Sequence, residues 1–383
     1  MSNAPGKSKA GQAPLAKPRL HPRRFSCHVR PVEPTMLIND PRTEAVPRFL
    51  NPIARLLNDP RDVVFVALML RCAAVAGFGL SLFFLGRWAI YLVPVYWLAL
   101  FGLVMDRFTL MLHCTSHRQL FNKTARPLNH VIPWLLGPFF GQTPNTYFAH
   151  HMGMHHREEN LADDLSSTLP YQRDRLDHWL RYYLRFLFIG LPELGVYFAR
   201  RKQWKFVGRI ALGEGLYWSM IAGLLWLHPV AAAAVFVVPL LAIRTAMMMG
   251  NWAQHSFVCA EHPEDPYRSS ITCINTRYNR RCFNDGYHIL HHVKPRCHWS
   301  EHPDEFLRAL PEYAQHDAIV FDGIDYFQIW VYLMFGKYDR LAQHFVRLPG
   351  APERSPREVE QFLKQRVRRG PEPRPNISAA SVA

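Results

Sequence analysis

Three stretches of the chain carry histidines at helical spacing. They read His113-Cys-Thr-Ser-His117, His151-Met-Gly-Met-His155-His156 and His288-Ile-Leu-His291-His292. Residues three or four positions apart lie on one face of a helix, so most imidazoles within a stretch are expected to point the same way. Imidazole is the commonest side-chain metal ligand in proteins. One such cluster is weak evidence, but three of them predict a metal centre assembled from distant parts of the chain.

Two more polar residues extend this candidate site. His255 follows the last long apolar stretch, and Asn251 lies four residues before it, on the same face if the helix continues. His150 adjoins the second cluster and leaves the ligand open between His150 and His151; we favour His151. Eight or nine imidazoles are more than one metal ion can use and suit two iron ions.

A ligating imidazole needs an acceptor for its other ring nitrogen. Four acids near the clusters are candidates for this role, and the sequence leaves open which of them act: Glu158, Asp163, Asp164 and Asp285. His298 and His302 lie outside the clusters and are assigned to the surface.

Four apolar stretches are long enough to cross a membrane, at about residues 63–85, 88–112, 206–227 and 230–250. Short turns at Gly86-Arg87 and His228-Pro229 join them into two hairpins. We therefore predict an all-α, polytopic membrane protein with two transmembrane helical hairpins under a cytosolic helical cap that holds a di-iron site. This membrane domain spans residues 61–345, and its cap comprises residues 113–205 and 251–345.

Charge predicts the orientation of the hairpins. The formal net charge is +15, and 11 Lys and Arg precede residue 62, whereas the two hairpin turns carry only Arg87 as a basic residue. The positive-inside rule then places the N-terminus, every histidine cluster and the C-terminus in the cytosol. Apolar spans between the basic segments argue against nucleic acid as a partner. Seven scattered cysteines without a Cys-x-x-Cys motif fit a reducing compartment.

Both ends of the chain are polar. Residues 1–60 are basic, carry no apolar core of a secretory signal, and are expected to form a largely disordered arm, with an organelle transit peptide left open. Residues 346–383 are rich in Pro and Arg and are expected to be a disordered tail. The apolar run from Ala318 to Phe335 favours a helix of the cap.

On these residues the sequence resembles the membrane-bound fatty acid desaturases, over about residues 60–310. The resemblance rests on the three histidine clusters, on the spans between them and on the segment Asn284-Asp-Gly-Tyr-His288. It implies two hairpins under a cytosolic cap with a di-iron centre. In relatives of the acyl-CoA desaturase type, one extra His and an Asn acting through water complete the ligands, and His255 and Asn251 match them. The chain lacks the His-Pro-Gly-Gly motif of a fused cytochrome b5, which implies an external electron donor.

The expected function is an O2-dependent desaturase of a fatty acyl group carried by a lipid, coenzyme A or a carrier protein. Ferredoxin or cytochrome b5 would supply electrons, and membrane lipids surround the spans. A hydroxylase or ketolase of the same di-iron superfamily is the alternative among enzymes, and a membrane metal transporter is the alternative outside them. Double-bond position, chain length and oligomeric state stay open.

Overall fold

Four helices in the described part of the chain, residues 37–370 of the computed structural model, are long and apolar enough to cross a membrane. They are the first span (Pro60–Phe84), the second span (Gly86–His117), the third span (Trp204–Leu227) and the fourth span (Pro229–Gln254). A single residue separates the helices of each hairpin, Leu85 in one and His228 in the other. The predicted fold class, an all-α polytopic protein with four spans, is confirmed.

Aromatic residues hold the hairpins together. The Phe108 and Phe140 rings stack with their centroids 4.2 Å apart, and Trp97 Nε1 donates to the backbone oxygen of Ala234 at 3.0 Å. This last bond gives the indole N–H an acceptor between the spans, where no water is available to provide one. Trp88 and Trp226 are exposed beside the two hairpin turns, as expected for aromatic residues at a membrane interface.

Between the hairpins the chain forms short helical segments and two longer helices. The short segments are Lys123–His130, Val131–Leu136, Gly137–Phe140, Thr146–Phe148, Ala149–His155 and His156–Glu158, and the longer helices are Leu176–Phe188 and Gly190–Arg200. Val131–Leu136 and Ala149–His155 are π-helical, with one more residue per turn than an α-helix. The second histidine cluster therefore does not lie on a regular α-helix.

After the fourth span two short strands and several helices complete the cap. The strands are β1 (Ile271–Ile274) and β2 (Ile319–Asp322), and the helices are Pro266–Ser269, Arg277–Arg281, His288–Val293, Trp299–Glu301, His302–Arg308, Leu310–Gln315, Tyr326–Met334, Tyr338–His344 and Pro356–Arg366. The strands pair in parallel, with Ile271 opposite Ile319. The helix expected over Ala318–Phe335 is thus wrong in its first part, because a short buried β-branched run suits a parallel strand equally well.

The expected disorder of the chain ends is also wrong within the described residues. Helix Pro356–Arg366 begins with a capping box between Ser355 and Glu358. Leu363 is fully buried, so an amphipathic helix is hidden in a segment whose composition is Pro- and Arg-rich. Near the N-terminus, Arg48–Leu56 forms a 3-10 helix with Leu50 buried. Residues 1–36 and 371–383 of the predicted arm and tail lie outside the described residues.

Close packing of the third span against the loop before the second histidine cluster yields a prediction. A Cβ on Gly213 would clash with the backbone oxygen of Pro144, whereas a Cβ on Gly215 would meet no atom within 4 Å. Gly213→Ala should therefore destabilise the protein by about 1–3 kcal/mol, measured by thermal unfolding in detergent. Gly215→Ala on the same helix is the control and should be neutral or stabilising by up to about 1 kcal/mol. Equal unfolding temperatures for the two variants would contradict this packing.

Candidate metal centre

Histidines from all three clusters meet at the ends of the second and fourth spans, in two groups. The first histidine group has ligand atoms that all lie within 4.8 Å of one another and consists of His113, His117, His151, His156 and His291. Its Nε2 atoms face one another: the separation is 3.0 Å for His113 and His291 and 2.9 Å for His117 and His151. His156 Nε2 lies 3.2 Å from that of His151 and 3.0 Å from that of His291.

The second histidine group consists of His155, His255, His288 and His292. Ligand atoms of His155, His255 and His292 lie within 4.8 Å of one another. His288 Nε2 joins them, at 3.1 Å from the Nε2 atoms of both His255 and His292. All four rings are buried.

This spacing suits metal ions. Two imidazole nitrogens that bind one ion at about 2.1 Å, at right angles to each other, are about 3 Å apart. The shortest Nε2–Nε2 separations are 2.9 to 3.2 Å in the first group and 3.1 Å in the second. Nitrogen donors of this kind suit iron, copper, zinc or nickel. Each histidine group therefore fits one metal ion, and the residues present match a two-metal centre.

The π-helical turn explains how the second cluster serves both groups. Its spacing predicted that His151 and His155 face the same way, but the structure puts His151 and His156 in the first group and His155 in the second. The i→i+5 hydrogen bonds of a π-helix bring residues five positions apart closer to one face than an α-helix does, and His156 directly follows the π-helical turn Ala149–His155. The expected partnership of His151 and His155 is therefore wrong, because the sequence was interpreted with an α-helical period.

Helix His288–Val293 divides its histidines between the groups. His288 and His292, one turn apart, belong to the second group, and His291 belongs to the first. The turn before this helix is tight: a Cβ on Gly286 would clash with the side chain of Asn279, whose Oδ1 accepts a bond from the Gly286 N–H at 2.9 Å. Glycine at this position allows the turn to pack under the helix.

Comparison with protein-family models matches residues 86–323 to the family described as fatty acid desaturase. The match covers more than half of the 383-residue chain and includes all three histidine clusters. The chain belongs to the fatty acid desaturase family. A search of curated proteins gave no match, and neither did a search of solved structures. The resemblance predicted from the sequence is confirmed, and the protein is an integral membrane protein of that family.

Three imidazoles of the two histidine groups have an acceptor at Nδ1 within residues 37–370. Asp285 Oδ1 lies 3.1 Å from His113 Nδ1, and Asp164 Oδ2 lies 2.7 Å from His155 Nδ1. The backbone oxygen of Ser269 lies 2.9 Å from His255 Nδ1. These contacts hold the ring proton on Nδ1 and direct the Nε2 lone pair into the group, which is the geometry of a metal-ligating imidazole.

The other two predicted acids do not contact a histidine. Glu158 Oε1 accepts from the Tyr197 hydroxyl at 2.5 Å and from Arg201 at 3.2 Å. Asp163 pairs with the same Arg201 at 2.9 Å and is half exposed. Their expected role beside the histidines is therefore wrong, because the positive charge of Arg201 draws both carboxylates to the cap surface.

Burial keeps the histidines of the third cluster neutral. Desolvation, and then the neighbouring imidazoles, lower the pKa of His288, His291 and His292 well below the ordinary value. A neutral imidazole is the form that binds a metal. Burial by itself would raise the pKa of Asp164, but His155 and hydrogen bonds from His155 and Ser166 hold it below its usual range. Asp164 is therefore a carboxylate able to accept the Nδ1 proton.

Several residues of the site were missed or misassigned from the sequence. Asp40, in the segment expected to be disordered, is buried and accepts from the Tyr287 hydroxyl at 2.7 Å, next to His288. His298 and His302 were assigned to the surface but are 3% and 7% exposed. His298 Nε2 lies 3.0 Å from Asp62 Oδ1, and buried histidines with such partners leave no periodic signal in a sequence.

Asn251 and His150 lie close to the histidine groups. Asn251 Nδ2 donates to the Tyr182 hydroxyl at 2.6 Å and to the backbone oxygen of Ser166 at 3.1 Å, so its role as a water-mediated ligand stays a prediction. His151, rather than His150, has its Nε2 in the first group.

The two neighbouring carboxylates Asp163 and Asp164 provide a matched test of the site. Asp164→Asn should lower metal occupancy or turnover about 10–100-fold, because the amide cannot accept the proton at His155 Nδ1 as a carboxylate does. Metal content of purified protein, determined by mass spectrometry, measures the effect. Asp163→Asn removes the same charge from the surface and should retain the full metal content. Unchanged metal content and rate in Asp164→Asn would remove Asp164 from the site.

Proposed function

We propose that this desaturase introduces a carbon–carbon double bond into a fatty acyl group, using two non-haem iron ions, O2 and electrons from an external donor. The family assignment makes the chain an oxidoreductase acting on fatty acids. The observation that carries the finer proposal is the pair of all-imidazole groups: five rings in the first group and four in the second, each with Nε2 atoms about 3 Å apart.

The predicted ligands of the two ions are the nine histidines of these groups. When bound, the two iron ions would supply the chemistry by which O2, two external electrons and two protons convert two neighbouring methylene carbons to an alkene, with two water molecules as the other product. The chain itself supplies orientation. Asp285 and Asp164 fix the rings of His113 and His155 through Nδ1, and the cap buries the second group from water.

The proposal includes an orientation in the membrane. The hairpin turns are short, and Arg87 is the only Lys or Arg in them, while the segment before the first hairpin and the loop between the hairpins are rich in Lys and Arg. We therefore propose that both ends of each hairpin, and the histidine groups with them, face the cytosol. An external donor such as ferredoxin or cytochrome b5 would deliver electrons on that side. The acyl group would arrive on a lipid, on coenzyme A or on a carrier protein.

Expression in a host with a simple fatty acid profile tests the reaction directly. New unsaturated methyl esters, identified by gas chromatography and mass spectrometry, are the expected result, together with about two iron ions per purified chain. Hydroxylated or oxo products instead would identify the hydroxylase or ketolase alternative of the same superfamily. Bound zinc or copper with an unchanged fatty acid profile would overturn the enzyme and favour metal transport.

A single histidine variant tests the ligand assignment. His117→Ala removes one of the five imidazoles of the first group and should reduce product more than about 100-fold, while the protein still inserts in the membrane. The matched control is His130→Ala, which removes an exposed imidazole outside both groups. Full activity in His117→Ala, or an equal loss in His130→Ala, would refute the assignment.

A further inference from the structure

A cavity of about 1150 Å³ opens where the first two spans meet helix Arg277–Arg281. One wall is apolar and comes from the spans, through Ala74, Val75, Leu103 and Val104. Ligand-binding clefts in proteins are typically about 300–1000 Å³, so this cavity is large enough for a substantial small-molecule group.

Five arginines line the cavity, two from the spans and three from helix Arg277–Arg281, and two of the five have carboxylate partners. Arg107 forms two 2.6 Å bonds with Glu44, and Arg281 pairs with Asp106. The remaining three are exposed and have no carboxylate within ion-pair distance among residues 37–370: Arg71, Arg277 and Arg280.

Two carboxylates line the cavity, Asp106 and Asp325, and the five arginines outnumber them. Asp325 accepts from the backbone N–H of Gln328 as the N-cap of helix Tyr326–Met334, in a capping box. The cavity therefore keeps an excess of positive charge that is not used within the described structure.

The cavity lies at the level of lipid head groups. From Gly86 to Arg107 the second span rises about 30 Å at about 1.5 Å per residue, which is one hydrocarbon core of a bilayer. Arg107 thus lies about one membrane thickness from the first hairpin turn. Arg71, 14 residues before Leu85 on the first span, lies about 21 Å from that turn, and its long side chain extends from there toward the head groups. A molecule that contacts both the apolar residues and the arginines of the cavity is an amphiphile with an anionic head group.

The cavity is connected to the metal centre by two short contacts. Tyr278 lines the cavity, and its hydroxyl donates to Asp285 Oδ2 at 2.7 Å. Asp285 Oδ1 is the acceptor 3.1 Å from His113 Nδ1. A head group bound in the cavity would therefore lie beside the first histidine group.

We propose that this cavity binds the phosphate-bearing head group of the acyl substrate, with Arg71, Arg277 and Arg280 contacting the phosphate oxygens. Guanidinium groups recognise phosphate oxygens through paired, charge-assisted hydrogen bonds. The phosphate ester belongs either to a glycerophospholipid or to coenzyme A. This inference rests on the proposed function, because the acyl chain of that substrate must then extend to the histidine groups.

Binding to the full-length protein in a neutral detergent tests the site. The probes are coenzyme A and dihexanoyl phosphatidylglycerol, each measured by calorimetry at low salt. Arg277→Gln and Arg280→Gln should each weaken the preferred probe about tenfold, and added salt should weaken wild-type binding. Arg357→Gln, which removes an exposed arginine from helix Pro356–Arg366, is the charge-matched control and should bind like the wild type.

The outcomes separate the sources and the alternatives. Preference for coenzyme A would support an acyl-thioester substrate, and preference for phosphatidylglycerol would support an acyl lipid. Binding of neither probe, unchanged binding in both cavity variants, or an equal loss in Arg357→Gln would overturn the site.

Kinetics and iron content separate this inference from the proposed function. The cavity variants should raise KM for the acyl substrate with kcat and iron content unchanged. Product formation by the wild type with an unaltered KM in the variants would overturn the head-group site alone. Absence of iron and product in the wild type, with probe binding still dependent on Arg277 and Arg280, would overturn the proposed function and leave a phosphate site.

Discussion

The convergence of uncharged imidazoles is the constraint on which the structure depends. Neutral rings whose Nε2 lone pairs face one another at about 3 Å repel, and a neutral imidazole has a single N–H. His255 Nδ1 already faces the backbone oxygen of Ser269, so a neutral His255 has no proton left to bridge its Nε2 to a neighbouring ring. A bound cation removes this repulsion. A bound metal ion would therefore stabilise the histidine groups, whose facing lone pairs are energetically unfavourable on their own.

The scaffold meets this constraint by bringing rigid elements from distant parts of the chain to one place. The end of the second span supplies two rings, the π-helical turn together with His156 directly after it supplies three, and helix His288–Val293 supplies three more. His255 follows directly on the fourth span. The two hairpins set the distances between these elements, and the buried Asp40 braces the third cluster from a segment before the first span.

The sequence predicts which histidines form the site better than it predicts which of the two groups each histidine joins. Histidine spacing and apolar length are periodic signals, so the clusters, the four spans and the family could all be predicted. Which carboxylates contact an imidazole ring depends on the other charged partners that surround each carboxylate in the folded protein. Asp164 faces His155, whereas Asp163, one residue earlier, is drawn to Arg201. The pairing of His151 with His156 depends on a π-helical turn that has no signature in composition.

Segments judged by composition were the least predictable. Helix Pro356–Arg366 lies in a region with many prolines and arginines, yet its buried face includes Leu363 and its end is tied to the cap by Arg173, which donates to the Arg366 backbone oxygen at 2.9 Å. The composition of a segment does not show which residues share one face of a helix, whereas the stability of the helix depends on the few residues on its buried face.

The ligand sets also bear on what decides the reaction. Both groups present only imidazoles, so the chemistry of the donors is the same at the two positions, and the position of the acyl chain must choose which carbons react. The small cavity of about 30 Å³ beside the metal centre is lined by His113, His117 and His291 of the first group and by no residue of the second. The two histidine groups thus differ in their surroundings and not in the kind of donor atom that they present. In the proposed binding mode the arginines fix the head group, and the reacting carbon is then determined by its distance along the chain from the phosphate.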